Sequence, residues 1–332
     1  MFNKPIDILA IGDTVVDAFI RLKEAHVNCK VNSEECELCM RFADKIPYES
    51  VTVVSAVGNS PNAAVSASRL GLNAALMSDV GADQYGKDCL ESLKGNRVNT
   101  KYMTIHKGMV TNYHYVLWYD VDRTILVKHQ DYPRKFPALP SEPKWLYLSS
   151  LGANSAEYHE EIASYLSRHP NVKLAFQPGT FQMKLGTEKL KTIYEHTDVF
   201  FCNVEESQRI LATEESDKKT LMAKLRALGP KIVVMTDGPN GAYAFDGKDY
   251  FFMPLYPDGK HAFERTGAGD AFASTLTCAL VMGKTLEEAL SWAPINSAFV
   301  VQKIGAQEGL LTQKELLEKL KTAPADYKPT KI

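Results

Sequence analysis

Glu264-Arg-Thr-Gly-Ala-Gly-Asp270 runs directly into Ala271-Phe-Ala-Ser-Thr-Leu-Thr-Cys-Ala-Leu280, a turn of small residues opening an apolar helix. The small side chains of Gly267, Ala268 and Gly269 let consecutive backbone N–H groups point into one space at the helix start. The positive end of the helix then favours anionic oxygens and the charge that builds during group transfer. Asp270 stands at the same point, positioned to accept the proton of an attacking hydroxyl. Donors and base in one turn are what phosphoryl transfer needs, because there the protein mostly positions groups and stabilises charge. A glycine turn with a first-turn acid is also an ordinary helix entry, so the motif needs company.

Working outward, short apolar runs at 6–11, 74–78, 145–148, 173–176, 199–202 and 232–236 read as buried strands. Helical patterns lie between them, including 157–168, 188–195 and 218–228. Such alternation predicts an α/β fold, a mainly parallel sheet covered by helices on both faces. Two segments, 18–55 and 103–131, break the rhythm with period-two patterns such as Tyr113-His-Tyr-Val-Leu-Trp-Tyr119, and predict a small sheet projecting from the body. The end of the chain, 322–332, is rich in lysine and proline and reads as loosely held.

The 332 residues allow one large or two ordinary domains. With 45% hydrophobic and 23% charged residues and a formal charge of −2, the chain reads as folded, with no call for a nucleic-acid or membrane surface. Asp7, Asp13 and Asp17 interrupt the apolar N-terminal stretch, which suits a buried strand and not a signal or span, and a cytoplasmic protein is expected. Of six cysteines, Cys36 and Cys39 form a lone CxxC with Cys29 upstream and His26 as the nearest fourth ligand. The simpler reading is packing and turn residues in a reduced protein.

Gly58-Asn-Ser-Pro-Asn62 reads as a helix entry with Ser60 as N-cap and Pro61 in the first turn, the helix closing at Leu70-Gly71. Gly81-Ala-Asp-Gln-Tyr-Gly-Lys-Asp88 nearly spells a P-loop but has Asp88 where a hydroxyl should meet magnesium, so it reads as a strand-to-helix turn. Phe201-Cys-Asn-Val-Glu-Glu206 puts Asn203 and Glu206 on one side of a helix start, either as a cap or as a magnesium-holding pair. Val234-Met-Thr-Asp-Gly-Pro-Asn-Gly241 reads as a hairpin whose glycines would let a nucleotide approach. Trp118, Tyr113, Tyr115 and Tyr119 either pack the small sheet or close over a substrate.

Together these residues resemble the PfkB family of carbohydrate and nucleoside kinases, the ribokinase-like group, over roughly 5–320. The resemblance implies a doubly wound αβα sandwich with a β-sheet lid: body at 1–17, 56–102 and 132–322, lid at 18–55 and 103–131, and tail at 323–332. It implies that Asp270 is the catalytic base and that Gly267, Ala268 and Gly269 form the anion hole. Asp17, Gly58, Asn59 and Asn62 would bind the substrate. Asn203, Glu206, Thr236, Gly238, Gly241, Thr266 and Asn296 would bind ATP, Glu206 holding Mg2+ directly or through water. The implied function is an ATP-dependent kinase for a sugar or sugar acid; a nucleoside kinase and a non-catalytic sensor on the same fold are the alternatives. A homodimer through the lid is also implied. Ser60 departs from the signature's usual Gly, Ala or Pro, and Glu264-Arg265 from the usual Asp-Thr. The second exchange falls where several relatives hold a monovalent cation, so potassium is left open.

Overall fold

The computed structural model describes residues 5–29 and 36–332. Its centre is a ten-stranded sheet. Seven strands run parallel, in the order Asn99–His106, Ala74–Gly81, Ile8–Ile11, Trp145–Leu148, Lys173–Phe176, Val199–Asn203 and Ile232–Thr236. Ala242–Phe245, Tyr250–Met253 and Thr330–Lys331 extend it antiparallel. The first strand shows why the apolar runs lack alternation: Ile8 and Ala10 enter one core, Leu9 and Ile11 the other, so both faces are covered. Helices Asn59–Arg69, Ala268–Val281 and Leu286–Val300 pack on one side, and Ala156–Arg168, Lys191–His196 and Lys218–Ala227 on the other.

A four-stranded sheet, in the order Tyr48–Val57, Val15–Leu22, Asn112–Tyr119 and Asp122–Leu126, stands apart from the central one. These strands come from the two segments that break the sequence rhythm. The boundary differs, because residues 103–106 continue Asn99–His106 in the central sheet, paired with Ser78 to Gly81. Expected lid residues 30–35 and body residues 1–4 lie outside the described residues.

The end of the chain is not loosely held. Tyr327 is buried, its hydroxyl donating to Ser291 O at 2.8 Å, and Thr330–Lys331 completes the sheet edge. An edge strand with unpaired backbone groups accepts any extended segment that reaches it, whatever its lysine and proline content. The helix expected at 188–195 is divided at Leu190 into Thr180–Lys189 and Lys191–His196.

Cys29 and Cys36, expected as reduced packing or turn residues, are disulfide-bonded within the hairpin of His26–Cys29 and Cys36–Cys39. The antiparallel register sets Cys29 opposite Cys36 and His26 opposite Cys39. Positions three apart on a strand face opposite ways, so the four side chains do not converge on one metal.

Candidate active site

The parallel strands end on one rim, where their carboxyl ends deliver Gly12-Asp13, Gln177, Asn203 and Thr236. The strand order reverses there: Ile8–Ile11 lies between Trp145–Leu148 and Ala74–Gly81. Open α/β sheets form their ligand crevice at such a point.

Helix Ala268–Val281 starts on this rim, with Gly267 at φ 83° as its N-cap. A Cβ on Gly267 would sit 2.6 Å from the Ala306 Cα, so this left-handed turn also needs a residue without a side chain. Regular helix bonding begins with Ala271 N–H to Gly267 O at 2.8 Å, whereas Ala268 N reaches Arg265 O only at 3.5 Å. The amides before Ala271 are the ones that a helix start leaves without an intrahelical partner, and Ala268 and Gly269 border the crevice. Glu264, with no exposed surface, folds back to accept from Thr266 N at 2.8 Å and from the Thr266 hydroxyl at 2.5 Å. That explains Glu in place of the shorter Asp: its reach braces the turn that presents the amides.

Asp270 lies in the first turn, and its carboxylate gathers residues from distant parts of the chain. Oδ1 accepts from Asn59 Nδ2 at 2.7 Å and Gln177 Nε2 at 3.1 Å; Oδ2 accepts from Asn62 Nδ2 at 2.8 Å. Burial pushes this carboxyl above its ordinary value, against the lowering effect of the three amides and of Arg123. Asn62 is held in turn by Gln307, whose Nε2 donates to Asn62 Oδ1 at 2.9 Å and to Ala56 O at 2.7 Å. Asn59 and Asn62, read from sequence as substrate contacts, thus sit on the aspartate itself. Ser60 is not the N-cap. Gly58, at φ 119° and close beneath Asp13 O, takes that place, while Ser60 is buried and donates to Ile11 O at 2.7 Å. It tethers the helix to the body.

Beside this turn opens a cavity of about 730 Å³, within the range of small-molecule sites. Asn203, Thr236, Gly238, Gly241, Ala268 and Gly269 line it, bringing together residues from three sequence-predicted elements. Thr236 and Gly241 flank the predicted hairpin, where Asp237 N donates to Gly241 O at 2.9 Å. Asn203 and Glu206 form a reciprocal cap: Asn203 Oδ1 accepts from Glu206 N at 2.7 Å and Glu206 Oε2 from Asn203 N at 2.9 Å. Burial raises the Glu206 carboxyl, and the negative charge of Asp270 adds to that effect.

Asn296 does not reach the cavity. It is fully buried, donating to the Thr275 hydroxyl at 2.8 Å and accepting from Leu311 N at 2.9 Å. Positions one or two apart on a helix face different sides, so Pro294, Ser297 and Ala298 line the cavity instead. Pro294 stands inside the helix and lacks the N–H that would otherwise bond within it.

Asp17 is buried on strand Val15–Leu22, directly opposite His114 on Asn112–Tyr119. Next to them, Asp13 is held by Arg134 Nη2 at 2.7 Å and His129 Nδ1 at 3.0 Å, and these partners lower its carboxyl despite burial. Gln177, Arg123 and Arg134 have no family motif around them; only the unusual Gln177-Pro-Gly179 segment carries any local signal. Among the described residues no three His, Cys, Asp or Glu side chains are grouped to hold a metal.

Residues 11–313 match the model of the pfkB family carbohydrate kinases. The chain is 25% identical to the ATP-dependent 6-phosphofructokinase of Thermoanaerobacterium thermosaccharolyticum, covering 92% of this chain and 90% of that protein. It is 27% identical to the ribokinase of Bacillus subtilis, covering 88% and 98%. Among solved structures it resembles Arabidopsis thaliana ribokinase complexed with ribose and ATP, with a TM-score of 0.78, 19% identity, and 96% and 99% of the two chains covered.

Proposed function

The chain belongs to the pfkB family of carbohydrate kinases, and from that premise we propose that it moves the γ-phosphoryl group of ATP onto a hydroxyl of a small sugar or sugar acid. The observation that carries this reading is the Asp270 carboxylate, held by three side-chain amides at the helix turn whose Ala268 and Gly269 border the cavity. Asp270 takes the proton of the acceptor hydroxyl as its oxygen attacks the γ-phosphorus. The bond from that phosphorus to the β,γ-bridging oxygen breaks, and ADP leaves with the electron pair. The amides of Gly267, Ala268 and Gly269 face the charge on the migrating group.

The nucleotide lies along Asn203, Thr236, Gly238 and Gly241, with Thr266 bracing the turn through Glu264. A buried acid with one oxygen committed to its cap suits a metal that keeps most of its water and sits mainly on phosphates, so Glu206 is the residue to hold Mg2+, which would neutralise phosphate charge when bound. Glu264 engages Thr266 through Oε1 and accepts from Gly305 N through Oε2, and this reading gives potassium no role.

The lid geometry favours a sugar over a nucleoside. Tyr113, Tyr115 and Tyr119 alternate with His114, so they occupy the face of the sheet away from Asp17, and Tyr115 is 49% exposed. Trp118 shares the inner face but stacks edge-on against Phe263, at 5.2 Å. Of the lid aromatics singled out in the sequence, only Trp118 faces the Asp17 side, and Phe263 engages it. A sensor reading would need an eroded base or anion hole, and both are present here. No helix among the described residues is long and apolar enough to cross a membrane.

A panel of ribose, fructose, 2-keto-3-deoxygluconate, 5-dehydro-2-deoxygluconate, adenosine and cytidine, read by ADP release, tests the assignment. The expected result is turnover with at least one sugar or sugar acid above both nucleosides. Turnover of the nucleosides alone, or of nothing, overturns it.

A further inference from the structure

The inner face of the small sheet carries two buried polar atoms that nothing among the described residues satisfies. Asp17 Oδ1 and His114 Nε2 have no hydrogen-bond partner among the described residues. They are neighbours: Asp17 and His114 are paired in register, with His114 Nδ1 3.5 Å from Asp17 Oδ1, beyond a good hydrogen bond for this geometry. An unsatisfied carboxylate oxygen in a buried position disfavours the fold, and native structures keep few such groups without a use for them.

The direction of this face follows from its other members. Asp17, Phe19 and, across the ladder, Val54 project to the same side. Phe19 and Val54 approach Gly305, where an added Cβ would lie 3.6 Å and 3.5 Å from them. Ala306, next in sequence, is the residue against which Gly267 is packed. The orphaned pair therefore lies on the side of the small sheet that packs towards the turn that carries Asp270.

The His114 ring is also fixed in place. It stands edge-on to His129 at 5.2 Å, and His129 is itself held by Asp13 at 3.0 Å and edge-on to Phe181 at 5.4 Å. A packed ring with one unused nitrogen is a rigid polar contact waiting for a small partner, the arrangement that gives a site its selectivity.

We propose that His114 is a substrate-binding residue that works as a pair with Asp17, reading two neighbouring oxygens of the acceptor sugar. One substrate hydroxyl donates to Asp17 Oδ1, and an adjacent hydroxyl or carbonyl oxygen meets His114 Nε2. The inference rests on the kinase reading and adds to it the ligand feature that the lid recognises: vicinal oxygen functions on a small polyol, remote from the hydroxyl that is phosphorylated.

The test uses whichever sugar the wild type phosphorylates best, the deoxy analogues that remove its hydroxyls one at a time, and the variants His114→Phe and His114→Asn. Removing one buried hydrogen bond of this kind should raise the sugar KM about ten- to hundredfold while leaving the ATP KM unchanged. One deoxy analogue, poor for the wild type, should be penalised no further in His114→Phe, because its missing contact is already gone. Thermal melting and the ATP KM show that each variant is folded; if His114→Phe melts early, His114→Asn, which keeps a polar side chain, carries the comparison. Sugar KM and analogue discrimination within twofold of wild type in a folded variant overturn the proposal and leave the kinase reading standing. A wild type that phosphorylates no sugar sinks both.

Discussion

Asp270 is pulled in two directions, and the balance has a measurable consequence. Amides of Asn59, Asn62 and Gln177 favour its charged form, burial favours the neutral one, and burial prevails. A base works only when unprotonated, so kcat/KM should fall as pH drops through this raised value. The acid limb of the profile should lie above the ordinary aspartate range near about 4; a limb at or below that range contradicts the assignment. Gln177→Leu removes a donor that stabilises the charged form, so the limb should move to higher pH and kcat should drop by about tenfold. An unshifted limb would show that Gln177 does not tune the base. The sequence marked Asp270 because its helix turn is local, but Gln177 acts from 93 residues away and is identified only by where the strand delivers it.

At the scale of the element, the turn at 264–270 does the most with the fewest residues. Gly267 has a left-handed φ and no room for a methyl group against Ala306, so Gly267→Ala should strain the turn by about 1–3 kcal/mol. The turn is also the anion hole, and kcat should fall by at least about tenfold with a lowered melting temperature. Wild-type turnover by ADP release would mean the amides are not the phosphoryl contact. The same element shows where local reading succeeds and fails. The small residues before the apolar helix marked a helix start, which is a local feature. Ser60 and Asn296 went astray for a different reason: a hydroxyl or amide at a helix entry or on a helix face can turn inward or outward, and tertiary packing decides which. Ser60 turned to Ile11 O, and Asn296 to Thr275 and Leu311 N. The hairpin cysteines repeat the point, since only the register sets Cys29 against Cys36.

Across the whole molecule, the alternation of apolar runs and helical patterns was enough to give the parallel sheet, because a strand covered on both faces must be apolar throughout. The docking of the last residues was not legible, since it depends on an open sheet edge far away in sequence. The small sheet has a second face, where Val53, Tyr115 and Leu126 form one cross-strand row, each about half exposed. This apolar row suits the dimer through the lid that the family resemblance implies, and a second copy of the chain is the proposed partner. Light scattering should report twice the chain mass for the wild type and the single mass for a Val53→Glu/Tyr115→Glu variant; a monomeric wild type contradicts the dimer. Lid, central sheet and helix starts all converge on one carboxylate, and Asp270→Asn tests that convergence most directly because it keeps the shape and removes the base. Single-turnover and steady-state phosphorylation of the best sugar, alongside ATP binding by calorimetry, should show kcat reduced by about 10²–10⁴-fold with ATP affinity little changed. Turnover close to wild type in that variant would contradict the account.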